Sequence, residues 1–317
     1  MTAPRIPRGE PADASAHWAG RRERGAPLLM RLTAWAVRRF GRRAMRPLVV
    51  GIVLYFYCFG ASARRSIAEY HRRLRDTGGA RALPARRAVY GQFLAFADAI
   101  LDKLDAWQGK LTRDDITVRD PHGLHAQMGA GRGQILVGSH LGNIEVCRAL
   151  IEGSPDLTLN VLVHTRHAEA FNQLLGKAGA SSLRLFQVSE LDTAAMMRLS
   201  ERVERGEWLA IAGDRVPLHG GRTVEVDFLG ARAALPQGPW LLAGLLACPA
   251  NVLFCTRIDG RYRVTMERLA DRVAWTRASR AAEVERCAQR YADRLAQECR
   301  DAPQQWFNFY PFWSGHA

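Results

Sequence analysis

The sequence predicts an α/β protein with a mixed, mostly parallel sheet flanked by helices and preceded by an N-terminal helical membrane anchor. Two observations support this prediction. After residue 84, short apolar runs typical of buried strands alternate with longer segments that show a helical apolar repeat. Before residue 76, arginine and apolar residues dominate. We therefore predict a disordered basic tail over residues 1–27, membrane-anchoring helices over 28–75 and one folded domain over 76–317.

The net charge of +14 lies almost entirely in the N-terminal segment. Residues 1–75 contain sixteen arginines against four acidic residues, whereas the remainder of the chain is close to neutral. The first 27 residues are polar and lack the apolar core of a signal peptide. Because a concentrated basic segment is attracted to anionic surfaces, we expect residues 1–75 to contact a negatively charged partner.

An apolar run over residues 47–63 adjoins these arginines and contains no charged residue. As a helix it would span roughly 26 Å, slightly less than the ~30 Å hydrocarbon core of a bilayer. Upstream, Leu28, Leu32 and Trp35 recur at helical spacing among arginines, which is typical of a helix in a membrane interface. Two alternatives are a helical pair packed on the domain with a solvated basic face, and a nucleic-acid-binding arm. The second is disfavoured because no nucleic-acid-binding module is recognisable.

The folded domain is predicted from its alternating elements. The strand candidates are the apolar runs 134–138, 159–164, 183–188, 208–212, 224–228, 252–258 and 262–266. The helix candidates are 83–107, 167–178, 192–205, 237–247 and 279–299. Strands separated by helices are usually parallel, and the active sites of such sheets lie at the carboxyl ends of the strands. Polar residues that directly follow a strand are therefore the first candidates for a functional site.

His140 follows the strand 134–138, and its neighbours suit proton transfer. Gly142 permits a tight turn, and Asn143 can cap a helix whose first turn includes Glu145. A histidine that removes a proton from a hydroxyl or amine needs its other ring nitrogen held in one tautomer. A carboxylate five residues later can hold it, and free N–H groups at the helix start can stabilise an oxyanion. The alternative is a structural histidine followed by an acidic residue at a helix start.

Asp214 and Arg215 follow the strand 208–212 and are further candidates. They form either a local ion pair or part of a site in which Arg215 binds a phosphate group.

Several reaction classes are disfavoured by missing motifs. There is no G-x-x-x-x-G-K-[ST] loop, no dinucleotide-binding glycine pattern after a strand and no G-x-S-x-G elbow. Ser139 precedes His140 in a strand-like segment, where neighbouring side chains diverge, so a covalent intermediate on serine is disfavoured. The other histidines lack the spacing of metal ligands, so we predict no metal and no cofactor. The six cysteines contain no C-x-x-C pair, which indicates a reducing compartment, and apolar surroundings predict buried thiols for Cys58, Cys147 and Cys248.

Together these residues resemble the bacterial lysophospholipid acyltransferase superfamily, in its lipid A biosynthesis acyltransferase-like branch. His140 and Glu145 match the H-x-x-x-x-[DE] motif of that family. The resemblance extends along most of the chain and in the family's order. It includes the arginine-flanked N-terminal segment and residues 161–166, 213–215, 228–230 and 303–306.

The resemblance implies an acyltransferase domain over 76–317 and a role for each matching residue. His140 would be the general base on an acceptor hydroxyl or amine, and Glu145 would orient it. The substrate-binding residues would be Asn143, Arg166, Asp214 and Arg215. The donor would be a thioester of acyl carrier protein or coenzyme A. The acceptor would be a lipid or glycolipid at the cytoplasmic face of the inner membrane, where anionic lipids bind the N-terminal helices.

The chain departs from the lipid A enzymes in two places. Aromatic residues follow Trp306 where those enzymes carry a basic stretch, and the interior of the motif, residues 141–144, is less bulky. Both features fit relatives that act on other glycolipids. The C-terminal aromatics are predicted to pack in the core or a lid, with acyl-chain contact as the alternative: Trp306, Phe307, Phe309, Tyr310, Phe312 and Trp313. The alternative function is a non-catalytic membrane-bound partner in a lipid or polyketide pathway.

Overall fold

The computed structural model of the chain describes residues 27–79, 83–107, 110–147, 158–163, 183–187, 192–216 and 222–313. The strands are β1 (Ile116–Arg119), β2 (Ile135–Gly138), β3 (Leu159–Val163), β4 (Leu183–Gln187), β5 (Trp208–Ala212), β6 (Thr223–Phe228), β7 (Ala231–Pro236), β8 (Ala250–Ile258) and β9 (Arg261–Ala270). The α-helices are α1 (Pro27–Phe59), α2 (Ala61–Asp76), α3 (Ala88–Trp107), α4 (Leu124–Gln127), α5 (Thr193–Glu204), α6 (Gly238–Leu245) and α7 (Arg280–Asp301). The backbone of α1 is non-helical at Gly41, where φ is +81°, so α1 consists of two helical parts.

Seven strands form one mixed sheet in the order β1-β9-β8-β2-β5-β3-β4. The neighbours run parallel except β8 and β9, which are antiparallel and joined by the tight turn at Asp259 and Gly260. The middle strand β2 is buried from Ile135 to Val137, as expected for a strand covered on both faces. The prediction of a mixed, mostly parallel sheet flanked by helices is confirmed.

Three strands differ from the prediction, and one of them, β7, was not among the predicted apolar runs. The run 224–228 does form a strand, β6, but it pairs antiparallel with β7 in a separate hairpin instead of joining the main sheet. A turn at Leu229 and Gly230, both at positive φ, reverses the chain there. The edge strand β1 was not predicted because three of its four residues are exposed and give no apolar run. The predicted helix 167–178 lies outside the described residues.

The apolar run 47–63 does not form one continuous helix. α1 ends at Phe59, Gly60 has a non-helical backbone, and α2 leaves at 90° to the preceding helix. Arg64 stabilises the bend because its guanidinium donates hydrogen bonds to the carbonyls of Tyr57 and Cys58. No single helix among the described residues is long and apolar enough to cross a bilayer, although 43–59 and 61–76 together meet the criteria of length and composition.

The part of α1 that follows residue 48 packs against α3 by one side. Val49 and Val53 are buried in a cluster with Phe93 and Leu101 of α3. The opposite side, which we call the apolar face of α1, exposes Leu48, Leu54, Tyr55 and Phe59. The membrane-anchoring role predicted for residues 28–75 stays a prediction.

The structure tests the burial predicted for three cysteines. Cys147 and Cys248 are buried, as predicted, and all six cysteines are free thiols. The prediction of a buried Cys58 is wrong: this residue is exposed, because it lies on the side of α1 that faces away from α3.

Candidate active site

The carboxyl ends of two neighbouring parallel strands place His140 beside Asp214. β2 and β5 pair in a register that sets Gly138 opposite Ala212, and each strand is followed two residues later by one of these side chains. Gly213 N–H donates to the Gly138 carbonyl at 2.9 Å, which keeps the two chains together beyond the strands. His140 and Asp214, which are 74 positions apart in the sequence, thus meet at the carboxyl end of the sheet.

The carboxylate of Asp214 contacts His140 twice. Its Oδ1 lies 2.9 Å from Nδ1 of the ring, and its Oδ2 accepts a hydrogen bond from the His140 backbone N–H at 2.8 Å. The Asp214 side chain is 1% exposed and that of His140 is 38% exposed. Burial alone would raise the pKa of Asp214, but the His140 ring and the charge of Arg215 outweigh it and lower this pKa to about 2.

This pairing determines which nitrogen of His140 can act as a base. An ionised carboxylate can only accept, so Nδ1 carries the hydrogen and donates it to Asp214. The lone pair of the neutral ring is then on Nε2, on a side chain that solvent reaches. A neutral imidazole with one nitrogen held by a buried carboxylate is the arrangement that general-base catalysis requires.

Glu145 lies in a short 3₁₀ helix, Ile144–Cys147, and its carboxylate forms an ion pair with Lys103 at 2.9 Å. The position against Nδ1 that the sequence predicted for Glu145 is occupied by Asp214. The reason is geometric: the turn at Gly142 leads the chain toward α3, where Lys103 lies, and the carboxylate follows it. The orienting role of Glu145 itself stays a prediction.

The loop after His140 is held between two other segments. Gly142 N–H donates to the Gln305 carbonyl, and Asn143 N–H donates to the Cys255 carbonyl, each at 2.8 Å. Gly142 has φ +72°, and a Cβ there would lie 1.9 Å from the Cys255 carbonyl oxygen. Only glycine fits this position, which agrees with the tight turn predicted for it.

The other predicted site residues differ in their surroundings. Asn143 is buried, and its side-chain amide donates to the Ala99 carbonyl at 3.0 Å, so it ties the loop to α3. Arg215 donates to the Phe307 carbonyl at 3.1 Å, beside the catalytic candidates. Arg166 lies outside the described residues. Substrate contact by these residues stays a prediction.

Trp306 completes the hydrogen bonding of Asp214. Its indole N–H donates to Oδ2 at 3.1 Å, and the residue is 1% exposed. The backbone around it pairs with the site loop, because Phe307 N–H donates to the His140 carbonyl at 3.0 Å. Trp306 is thus fixed relative to both members of the His140–Asp214 pair.

The C-terminal aromatics form two groups of contacts. Trp306 packs with Tyr70, Phe228, Phe312 and Trp313. Phe307 and Phe309 instead contact Phe96 of α3, with ring centroids 5.1 and 5.0 Å away. Core packing is confirmed for Trp306, Phe307 and Trp313, which are buried.

We expect Trp306→Phe to lower kcat about tenfold with little change in KM. A hydrogen bond to a charged group contributes roughly 1.5–3 kcal/mol, and its loss leaves Asp214 less firmly positioned against His140. Trp313→Phe is the matched control: Trp313 packs 6.0 Å from Trp306, but its indole N–H has no hydrogen-bond partner among the described residues. Steady-state kinetics of both variants provide the measurement. Equal losses in both would attribute the effect to aromatic packing.

Sequence reasoning found His140 and both candidate carboxylates, but it assigned the orienting position to the nearer one. Part of the signal for Asp214 was present, since the apolar runs 134–138 and 208–212 each end two residues before a polar side chain. That these two strands are neighbours is known only from the structure. The role of Trp306 had no local signal, because its partner lies 92 positions away.

A comparison with protein families identifies the family of the chain. The model of the bacterial lipid A biosynthesis acyltransferase family matches residues 86–314, which include His140, Asp214 and Trp306. No curated protein matches the sequence. Because this family model covers well over half of the chain, the protein belongs to the bacterial lipid A biosynthesis acyltransferase family and is an acyltransferase of lipid biosynthesis.

Proposed function

We propose that the protein transfers an acyl group from a thioester of acyl carrier protein or coenzyme A to a hydroxyl or amine of a lipid or glycolipid. The observation that supports this proposal is the buried Asp214 carboxylate on Nδ1 of a half-exposed His140. The proposed location is the cytoplasmic face of the inner membrane, in agreement with the membrane-associated character of the family.

In the proposed reaction the acceptor attacks the thioester directly. Nε2 of His140 takes the proton from the acceptor oxygen or nitrogen as the bond to the acyl carbon forms. The resulting imidazolium is stabilised by Asp214. Collapse of the tetrahedral intermediate breaks the carbon–sulfur bond, and the proton held by His140 passes to the leaving thiolate. His140 is then neutral again, and no acyl-enzyme intermediate is required.

The oxyanion of the intermediate needs a donor, and we assign this role to Arg215. The N–H groups of Leu141, Gly142 and Asn143 already donate to Ser139 Oγ, the Gln305 carbonyl and the Cys255 carbonyl. Arg215 is held beside His140 because it donates to the carbonyl of Phe307, whose own N–H donates to His140. A guanidinium has further N–H groups for an oxyanion or for a phosphate of the donor.

The apolar chain of the donor or acceptor is proposed to follow the aromatic rings between His140 and α3. Phe307 is adjacent to His140 through its backbone, and Phe96 connects it to Phe309. Phe96 is 38% exposed and the nearby Ile144 is 39% exposed, so apolar surface remains beside the catalytic pair. Burial of a hydrocarbon chain there would contribute about 0.8 kcal/mol per methylene group.

The apolar face of α1 is proposed to contact the membrane. Leu54, Tyr55 and Phe59 expose 50%, 58% and 68% of their surface, and arginines of α2 follow directly in the sequence. Apolar burial and attraction of basic residues to anionic lipids then act together. This association brings His140 to an acceptor that does not leave the bilayer.

The proposal is tested by comparing the lipids and glycolipids of cells that contain the protein, lack it, or carry only the His140→Ala variant. We expect one lipid class to lose a mass equal to one acyl chain both without the protein and with His140→Ala. Mass spectrometry of the extracted lipids identifies the class and the chain. If His140→Ala restored the acylated lipid fully, the protein would be a non-catalytic partner, which is the second candidate function.

A further inference from the structure

Residues 305–307, which we call the bridge segment, lie along the His140 loop like a short additional strand. At one end Phe307 N–H donates to the His140 carbonyl at 3.0 Å, and at the other the Gln305 carbonyl accepts from Gly142 N–H at 2.8 Å. The residue between them carries the indole that bonds the carboxylate of the catalytic pair. The positions of the base and of its carboxylate partner therefore both depend on where the bridge segment lies.

Two side-chain amides attach the bridge segment to the rest of the domain. Gln92 of α3 is buried and donates to the Trp306 carbonyl at 2.7 Å. Gln305 bonds β8 twice, because its Oε1 accepts from Arg257 N–H at 2.8 Å and its Nε2 donates to the Arg257 carbonyl at 2.7 Å. Since β8 is the direct neighbour of β2, Gln305 ties the bridge segment to the part of the sheet that carries His140.

The place of Gln305 follows from the course of the His140 loop. β2 pairs with β8 at residues 135–137, and the loop adds one more bond, in which Asn143 N–H donates to the Cys255 carbonyl. At Arg257, two residues further along β8, the partner of both backbone groups is the amide of Gln305. This amide takes the place of a neighbouring strand, because it offers an acceptor and a donor together.

We propose that Gln305 is a positioning residue for acyl transfer, which holds the bridge segment against β8 and thereby keeps Asp214 and Nε2 of His140 in the reactive geometry. Gln305 acts through Trp306, whose indole N–H bonds Asp214. The rate is sensitive to such an arrangement, since a displacement of about 1 Å can cost roughly two orders of magnitude in catalysis. The proposal rests on the proposed function of His140 as general base.

Gln305→Glu tests this role with a side chain of the same shape. An ionised carboxylate can only accept, so it keeps the bond to Arg257 N–H but sets a negative oxygen against the Arg257 carbonyl. We expect kcat to fall about five- to twentyfold while KM for the donor changes less than about twofold. Gln305→Met keeps the length, adds no charge and removes both hydrogen bonds, and it should lower kcat as well. The measurement is transfer of a labelled acyl group in detergent micelles.

Gln304→Glu is the matched control. Gln304 is also partly exposed, and its Nε2 donates to the Ala88 carbonyl at 2.8 Å, at the start of α3 and not at β8. The same chemical change one residue earlier should lower the midpoint of thermal unfolding to a similar extent, while kcat stays within about twofold of normal. Equal losses of kcat in the two glutamate variants would mean a general destabilisation and would overturn the positioning role.

The combination of Gln305→Glu with Trp306→Phe tests the route of the effect. We expect the double variant to lose less kcat than the product of the two single losses, because the hydrogen bond to Asp214 can be lost only once. Losses that multiply would show independent routes and overturn the proposal, as would a folded Gln305→Glu protein with normal kcat. Normal kcat in His140→Ala would instead contradict the proposed function, so the two failures are distinguishable.

Discussion

Replacing His140 with alanine is expected to lower kcat by about 10²- to 10⁴-fold, because the variant lacks the imidazole that serves as general base at the end of β2. KM for the donor should change little, since the apolar surface around Phe96 and Phe307 is left in place. The measurement is transfer of a labelled acyl group in detergent micelles.

His125→Ala is a matched control for this variant. His125 is also partly exposed, and it lies in α4, which packs against β9. It should retain normal kcat. A folded His140→Ala protein with normal kcat would contradict the proposed mechanism directly.

Asp214→Asn is expected to lower kcat by about 10²- to 10⁴-fold as well, although it removes no atom from the site. Oδ2 accepts from two N–H groups, those of the His140 backbone and of the Trp306 indole. These two donors hold the amide oxygen of an asparagine at the Oδ2 position. The amide nitrogen must then face Nδ1 of His140 and donate to it, which moves the ring hydrogen to Nε2. Because Nε2 then carries the hydrogen, it has no lone pair with which to take the proton of the acceptor.

Glu145→Gln tests whether Glu145 or Asp214 orients the His140 ring. The Glu145 side chain is 30% exposed and pairs with Lys103, an arrangement worth roughly 0–1 kcal/mol, so we expect kcat to fall less than about fivefold. Parallel kinetics of the Asp214 and Glu145 variants provide the measurement, with thermal unfolding to establish that both are folded. If Glu145→Gln were the more damaging substitution, the orienting role predicted from its spacing to His140 would be right.

Composition predicted the chemical character of the N-terminal helices but not their geometry. Apolar residues next to arginines predicted a segment with affinity for a membrane surface, and the structure has an exposed apolar face on α1 beside the arginines of α2. Composition did not predict the bend at Gly60, because a single residue with a non-helical backbone interrupts an otherwise helical pattern.

The sequence by itself determined the α/β class, the strand that carries His140, the glycine turn after it and the candidacy of Asp214. These are local properties. A buried strand is formed by consecutive apolar residues, and position 142 has no room for a Cβ and therefore requires glycine. Only the tertiary structure decided that Asp214 holds Nδ1 and that Trp306 holds Asp214. Strand order brings β5 beside β2, and the C-terminal segment pairs with the His140 loop. A parallel sheet joins strand ends that are far apart in the chain, so spacing along the sequence does not reveal which carboxylate meets the ring.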